Sequence, residues 1–93
     1  MNVIDTPLVD HKLVQCKVYG DASSLMVERL NVAKLADAGF NQDFVQDNHA
    51  RTASGVLRGL HFQHAPSRGM LIGAITGAIW DVAVDIRPTS PTF

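Results

Sequence analysis

The sequence predicts an all-β fold. Three observations carry it: short apolar or alternating runs at regular spacing, Gly- and Pro-rich punctuation between them, and a single segment with helix-capping chemistry. Read from the residues alone, that pattern is a β-sandwich or barrel.

Lys12-Leu13-Val14-Gln15-Cys16-Lys17-Val18 alternates as a strand does, and Tyr19-Gly20-Asp21 supplies turn chemistry after it. Residues 25–30 form the next strand, with Glu28 placed in an otherwise apolar stretch. Asn31 is a cap for a short helix over 32–38, and Gly39 suits the position just past its end. Residues 44–49 follow as a strand with polar side chains at alternate positions, then the loop Arg51-Thr52-Ala53-Ser54. Residues 55–63 are a further strand and 64–69 a loop. The apolar strands 70–75 and 78–86 are joined across Thr76-Gly77, a two-residue hairpin connection. Residues 87–93 read as an inter-strand loop leading into another element, so sheet edges and an apolar face are expected to be covered by more of the domain or by another chain.

Composition narrows the function classes. At 93 residues the chain is one domain or a piece of one, near the size at which a single core suffices. Hydrophobic residues make up 46% and charged residues 18%, with net charge -1, and no Lys/Arg block offers the phosphate-neutralising stripe of a nucleic-acid or membrane surface. Cys16 has no partner for an internal disulfide and reads as a buried thiol, which fits a reducing, cytoplasmic compartment. The first residues lack the pattern of an export signal, and no apolar run approaches membrane-spanning length.

The chemistry-bearing stretch is Gly55-Val56-Leu57-Arg58-Gly59-Leu60-His61-Phe62-Gln63, which sets a cation, an imidazole and an amide in an apolar run. A strand built for burial alone would carry branched aliphatics there. Arg58 and His61 point to opposite faces of a straight strand, so a shared pocket requires a bulge or sharp twist, and Gly59 is the residue that permits one. Each side chain also has a plainer reading. His61 suits a hydrogen-bonded core histidine, Arg58 a surface cation, Gln46 and Asn48 outward positions of a half-exposed strand, and Glu28 a solvated carboxylate. Asp81 and Asp85 are either histidine-orienting groups or internal hydrogen-bonding groups.

Phe44-Val45-Gln46-Asp47-Asn48-His49, the 55–63 stretch, Asp81-Val82-Ala83-Val84-Asp85-Ile86-Arg87 and Ser90-Pro91-Thr92-Phe93 together resemble dTDP-4-dehydrorhamnose 3,5-epimerases. The four blocks occur in the family's order and span nearly the whole chain. The resemblance implies a partial cupin-type double-stranded β-helix, or jelly roll, with residues 1–93 as the N-terminal portion of a single, truncated domain. It implies epimerisation, without a cofactor, at the carbons flanking the ketone of dTDP-4-keto-6-deoxyglucose in dTDP-L-rhamnose synthesis. It also implies a dTDP-sugar partner and a homodimer formed through N-terminal strands. By the same resemblance His61 is the catalytic base, Arg58 contacts substrate, and Gln46, Asn48 and Glu28 line the sugar-nucleotide site. Three departures stand out: Met70 where the family has an enolate-supporting lysine, Ser23-Ser24 where it has Arg-Gly with a phosphate-binding arginine, and Met26 for a nearby aromatic. The family's tyrosine acid and histidine-orienting aspartate belong to the half not present. The alternative reading is a catalytically impaired remnant that pairs through its strands or binds sugar nucleotides.

A metal site is not expected. Gly55 and His61 match the start of the spacing used by metal-binding cupins, which continue with His-x-His and a glutamate. Here His61-Phe62-Gln63 follows, and Ser67-Arg68 falls where the acid should be.

Overall fold

The first regular structure is a hairpin of β1 (Asn2–Asp5) and β2 (Lys12–Gln15), paired antiparallel so that Val3 faces Val14 and Ile4 faces Leu13. β-Branched and aliphatic pairs at those positions favour the ladder, and an ion pair between the directly opposed Asp5 and Lys12 closes its end. In the connecting loop the Thr6 hydroxyl donates to the His11 carbonyl at 2.8 Å and accepts from the Leu8 amide at 3.3 Å. Asp10 takes a left-handed backbone there, with φ 62°.

This is a computed structural model that describes residues 1–66 and 68–93. They fall into two units, Met1–Asn41 with Ile79–Phe93, and Gln42–Ala78.

In the first unit a second hairpin joins β3 (Val18–Gly20) to β4 (Leu25–Val27), with Tyr19 opposite Met26. Its turn is built by Asp21, whose Oδ1 accepts from the Ser23 amide at 2.8 Å, the Ser23 hydroxyl at 2.7 Å and the Ser24 amide at 3.1 Å. The Ser23 hydroxyl, then the two amides, hold the Asp21 carboxyl below its ordinary value. Gly20 is required by space, because a Cβ there would lie 2.3 Å from the Ser24 carbonyl oxygen.

The helix α1 (Val32–Asp37) forms where the capping chemistry placed it. Asn31 Oδ1 accepts from the Lys34 amide at 3.0 Å. At the other end Phe40 N–H reaches Leu35 O at 2.8 Å and Gly39 N–H reaches Ala36 O at 3.0 Å, the paired bonds of a Schellman motif, with Gly39 at φ 94°. Leu35, 3% exposed, is the buried apolar residue of the described set. Among the described residues no helix is long and apolar enough to cross a membrane.

The architecture is all-β with one short helix, as expected, but the individual strands differ from the sequence reading. The 12–18 run is not one strand, because β2 ends at Gln15 and β3 starts at Val18. Strand β4 stops at Val27 rather than 30, and β1 was not foreseen. The strands expected at 44–49, 55–63, 70–75 and 78–86 are absent among the described residues. The reason is pairing. Both hairpins that form are closed by short connections, whereas a distant partner demands costly loop closure before any ladder bond forms. Apolar alternation specifies a face, and it does not supply the neighbouring strand.

The second unit is made of turns and irregular chain among its described residues. Gly55 and Gly77, both at φ 81°, supply the left-handed positions of the turn at 54–55 and the bend at 75–77. The expected 64–69 loop begins as a turn over 64–66, and Ser67 lies outside the described residues.

Candidate functional site

The 55–63 stretch does leave extended geometry at Gly59, whose φ is 108°. A Cβ added there would meet His61 N and Nδ1 at 3.6 Å, an ordinary contact, so backbone conformation rather than space makes glycine the fitting residue. No regular ladder runs through this position, and no hydrogen bond or ion pair among the described residues joins Arg58 to His61. Both side chains are exposed.

Gln46 and Asn48 are brought together. Gln46 Nε2 donates to Asn48 Oδ1 at 3.3 Å, which the spacing of two allows when successive side chains alternate. This pair, Arg58 and His61 belong to the Gln42–Ala78 unit, and Glu28 belongs to the other.

Glu28 follows the last residue of β4 and meets the first turn of α1. Lys34 Nζ donates to its Oε1 at 2.7 Å. That bond, with the attraction between the charges, holds the Glu28 carboxyl below its ordinary value and raises Lys34 in return. With both side chains about half exposed, solvent weakens the pair. Lys34 is thus a neighbour of a proposed substrate-lining carboxylate that the sequence reading missed, although the six-residue spacing across a strand-helix corner was visible.

At the positions where the resemblance expects a lysine and an arginine, this chain carries Met70 and Ser23. Met70 is 61% exposed and offers no donor. The Ser23 hydroxyl is taken by Asp21. Asp85 takes the internal hydrogen-bonding role, with a side chain only 4% exposed and Arg87 Nε donating to its Oδ1 at 2.9 Å. Among the described residues no three His, Cys, Asp or Glu side chains are grouped to hold a metal ion.

Comparison with known proteins places these residues in a wider context. The family model described as dTDP-4-dehydrorhamnose 3,5-epimerase matches residues 5–93. Curated proteins carrying that name include one from Shigella flexneri, 45% identical over 95 residues that span 100% of this chain and 52% of the relative. The Escherichia coli K12 protein is 42% identical, again over 100% of this chain and 51% of its own. The protein from Methanothermobacter thermautotrophicus is 41% identical over 97% of this chain and 49% of its own length. The chain therefore spans about half the length of these curated relatives. No solved structure matches it.

Proposed function

The chain belongs to the dTDP-4-dehydrorhamnose 3,5-epimerase family, and on that premise we propose that its 93 residues are the N-terminal portion of a single cupin-like domain for epimerising dTDP-4-keto-6-deoxyglucose. The observation that carries the proposal is the family match over residues 5–93, which includes the whole Arg58-to-His61 stretch.

The ketone acidifies the C–H bonds on either side of it, so inversion needs a base, an acid on the opposite face and positive charge beside the developing enolate. An imidazole can accept a proton near neutral pH, and His61 takes that role. Arg58 carries the fixed cation that anchors substrate, with Gln46 and Asn48 of the same unit as polar lining; a lining role for Glu28 rests on the family resemblance alone. The reaction draws on the substrate's own carbonyl and requires no cofactor. Met70 leaves the enolate without a lysine, which lowers turnover on the order of 100- to 1000-fold against a site that has one. The partner implied for such a chain is a second copy joined through N-terminal strands, and β1 and β2 each keep one unpaired edge for it.

The test is proton exchange, the half of the reaction that needs the base but not the acid on the opposite face. With dTDP-4-keto-6-deoxyglucose in D2O, the chain should place deuterium at the carbons flanking the ketone faster than the enzyme-free rate. His61→Ala should lower that gain roughly 100-fold or more. Exchange unaffected by the substitution would remove His61 from its role.

One observation favours the second reading, a catalytically impaired remnant that pairs through its strands or binds sugar nucleotides. Large apolar side chains stand open to solvent, Trp80 at 93% and Leu57 and Val45 at 91%.

A further inference from the structure

We propose that Asp85 and Arg87 form a polar latch that fastens the 6–11 loop to the last residues of the chain. The latch is local to the Met1–Asn41 with Ile79–Phe93 unit and stands apart from the epimerase reading.

The guanidinium of Arg87 uses its whole fork. Nε and Nη2 donate to the two oxygens of Asp85 at 2.9 and 3.0 Å. Nη1 donates to Asp10 Oδ2 at 2.9 Å, and Nη2 also reaches the Val9 carbonyl at 3.1 Å. One planar group thereby joins positions 77 and 78 residues apart, a geometry that a lysine point charge cannot reproduce.

Asp85 is the hub. Besides Arg87 it accepts from the Thr92 hydroxyl at 2.6 Å, from the Ser90 hydroxyl, and from the Arg87 amide at 3.1 Å. Thr92 Oγ1 in turn accepts from the Val9 amide at 3.1 Å, a second tie across 83 residues. Two turn bonds, Ser90 N–H to Arg87 O and Phe93 N–H to Ser90 O, set those hydroxyls in place.

The burial order is that of a working latch. The Asp85 side chain is 4% exposed, whereas Arg87 is 49% and Asp10 75% exposed. The loop residue is the releasable end and the carboxylate is the fixed one. Asp10 also holds φ 62°, a conformation uncommon for a residue with a Cβ, and the Arg87 bonds to its carboxylate and to the preceding carbonyl restrain that turn. Apolar packing does not substitute, since Leu35 in α1 is the buried hydrophobic residue of the described set.

Amide hydrogen exchange on the whole 93-residue chain tests the latch. The reporter is the Val9 amide, and the ladder amides of β1 and β2 are the control. Asp85→Asn and the near-isosteric Thr92→Val should each speed Val9 exchange roughly 10- to 100-fold, since each strips a bond made by or supported by a charge. Asp10→Asn, which removes one exposed pair, should change it only about threefold. The ladder amides should keep their rates in Thr92→Val, which decides the matter should Asp85→Asn unfold. A Val9 amide already exchanging at the free-peptide rate in the unaltered chain overturns the latch. So does Thr92→Val raising Val9 and the ladder amides alike.

Discussion

On the proposed epimerase reading, Met70 is where one side chain carries the largest chemical consequence. A thioether carries no charge and no N–H donor with which to stabilise an enolate. Met70→Lys should therefore raise the rate of deuterium incorporation, on the order of 100-fold, with Arg68→Lys as a control that leaves it flat. Asp85 shows a charge of the opposite kind, one fully provided for. Its hydrogen bond from Arg87, then those from Ser90 and Thr92, hold its carboxyl far below the ordinary 3.8. Asp10 is the other carboxylate on Arg87, and Arg87 is raised in turn, first by Asp85 and then by Asp10. A carboxyl whose folded-state value is depressed stabilises the fold above its unfolded value and loses that contribution as pH falls through the folded one. The contribution of Asp85 is thus complete above about 4 and is lost in stronger acid. An NMR titration of the Asp85 carboxyl carbon should find its midpoint below 3.8, and a midpoint at or above that value would contradict the geometry.

The elements that form are those whose instructions lie close together in the chain. The helix α1 was legible because both of its stops are local: Asn31 caps Lys34 three residues on, and Gly39 closes the Schellman turn against Ala36. Asn31→Ala should cost about 1 kcal/mol, and Gly39→Ala a similar amount because its φ of 94° strains any Cβ. Exchange at the Phe40 amide, whose bond to Leu35 O ends the helix, reads both, and Gly39→Ala leaving it untouched would show that the turn does not depend on glycine. The strands were legible only in part. The alternation over 12–18 marks β2 correctly as extended but reaches only the first residue of β3, whose Tyr19 and Gly20 were read as turn, and the break at Cys16 and Lys17 has no signature in hydrophobic pattern. At 44–49 and 55–63 the residue types suit a sheet, but a strand is a relation between two segments, and no local signal guarantees the second. The site shows the same division. The change of backbone at Gly59 could be read from nine consecutive residues, whereas the meeting of Asp10 with Arg87 across 77 residues could not.

For the whole chain the deciding quantity is surface. Large apolar side chains stand exposed among the described residues, Trp80, Leu57, Val45, Phe62 and Phe93 among them, and only 18% of the residues are ionic. Net charge of -1 gives almost no repulsion between copies. In the proposed pairing with a second copy, joining the free edges of β1 and β2 would satisfy backbone groups and the apolar side chains would supply the driving force, so association should strengthen with temperature from cold and resist added salt. Sedimentation equilibrium should then give a mass above 10.1 kDa that rises with protein concentration and is little changed by molar salt. Replacing Val3 and Ile4 with lysine on β1, where the edge is open, should shift that equilibrium toward the monomer by placing like charges along the pairing strand. A single species at the monomer mass across the concentration range would reject pairing with a second copy, and it would leave the exposed apolar surface without a self-made cover.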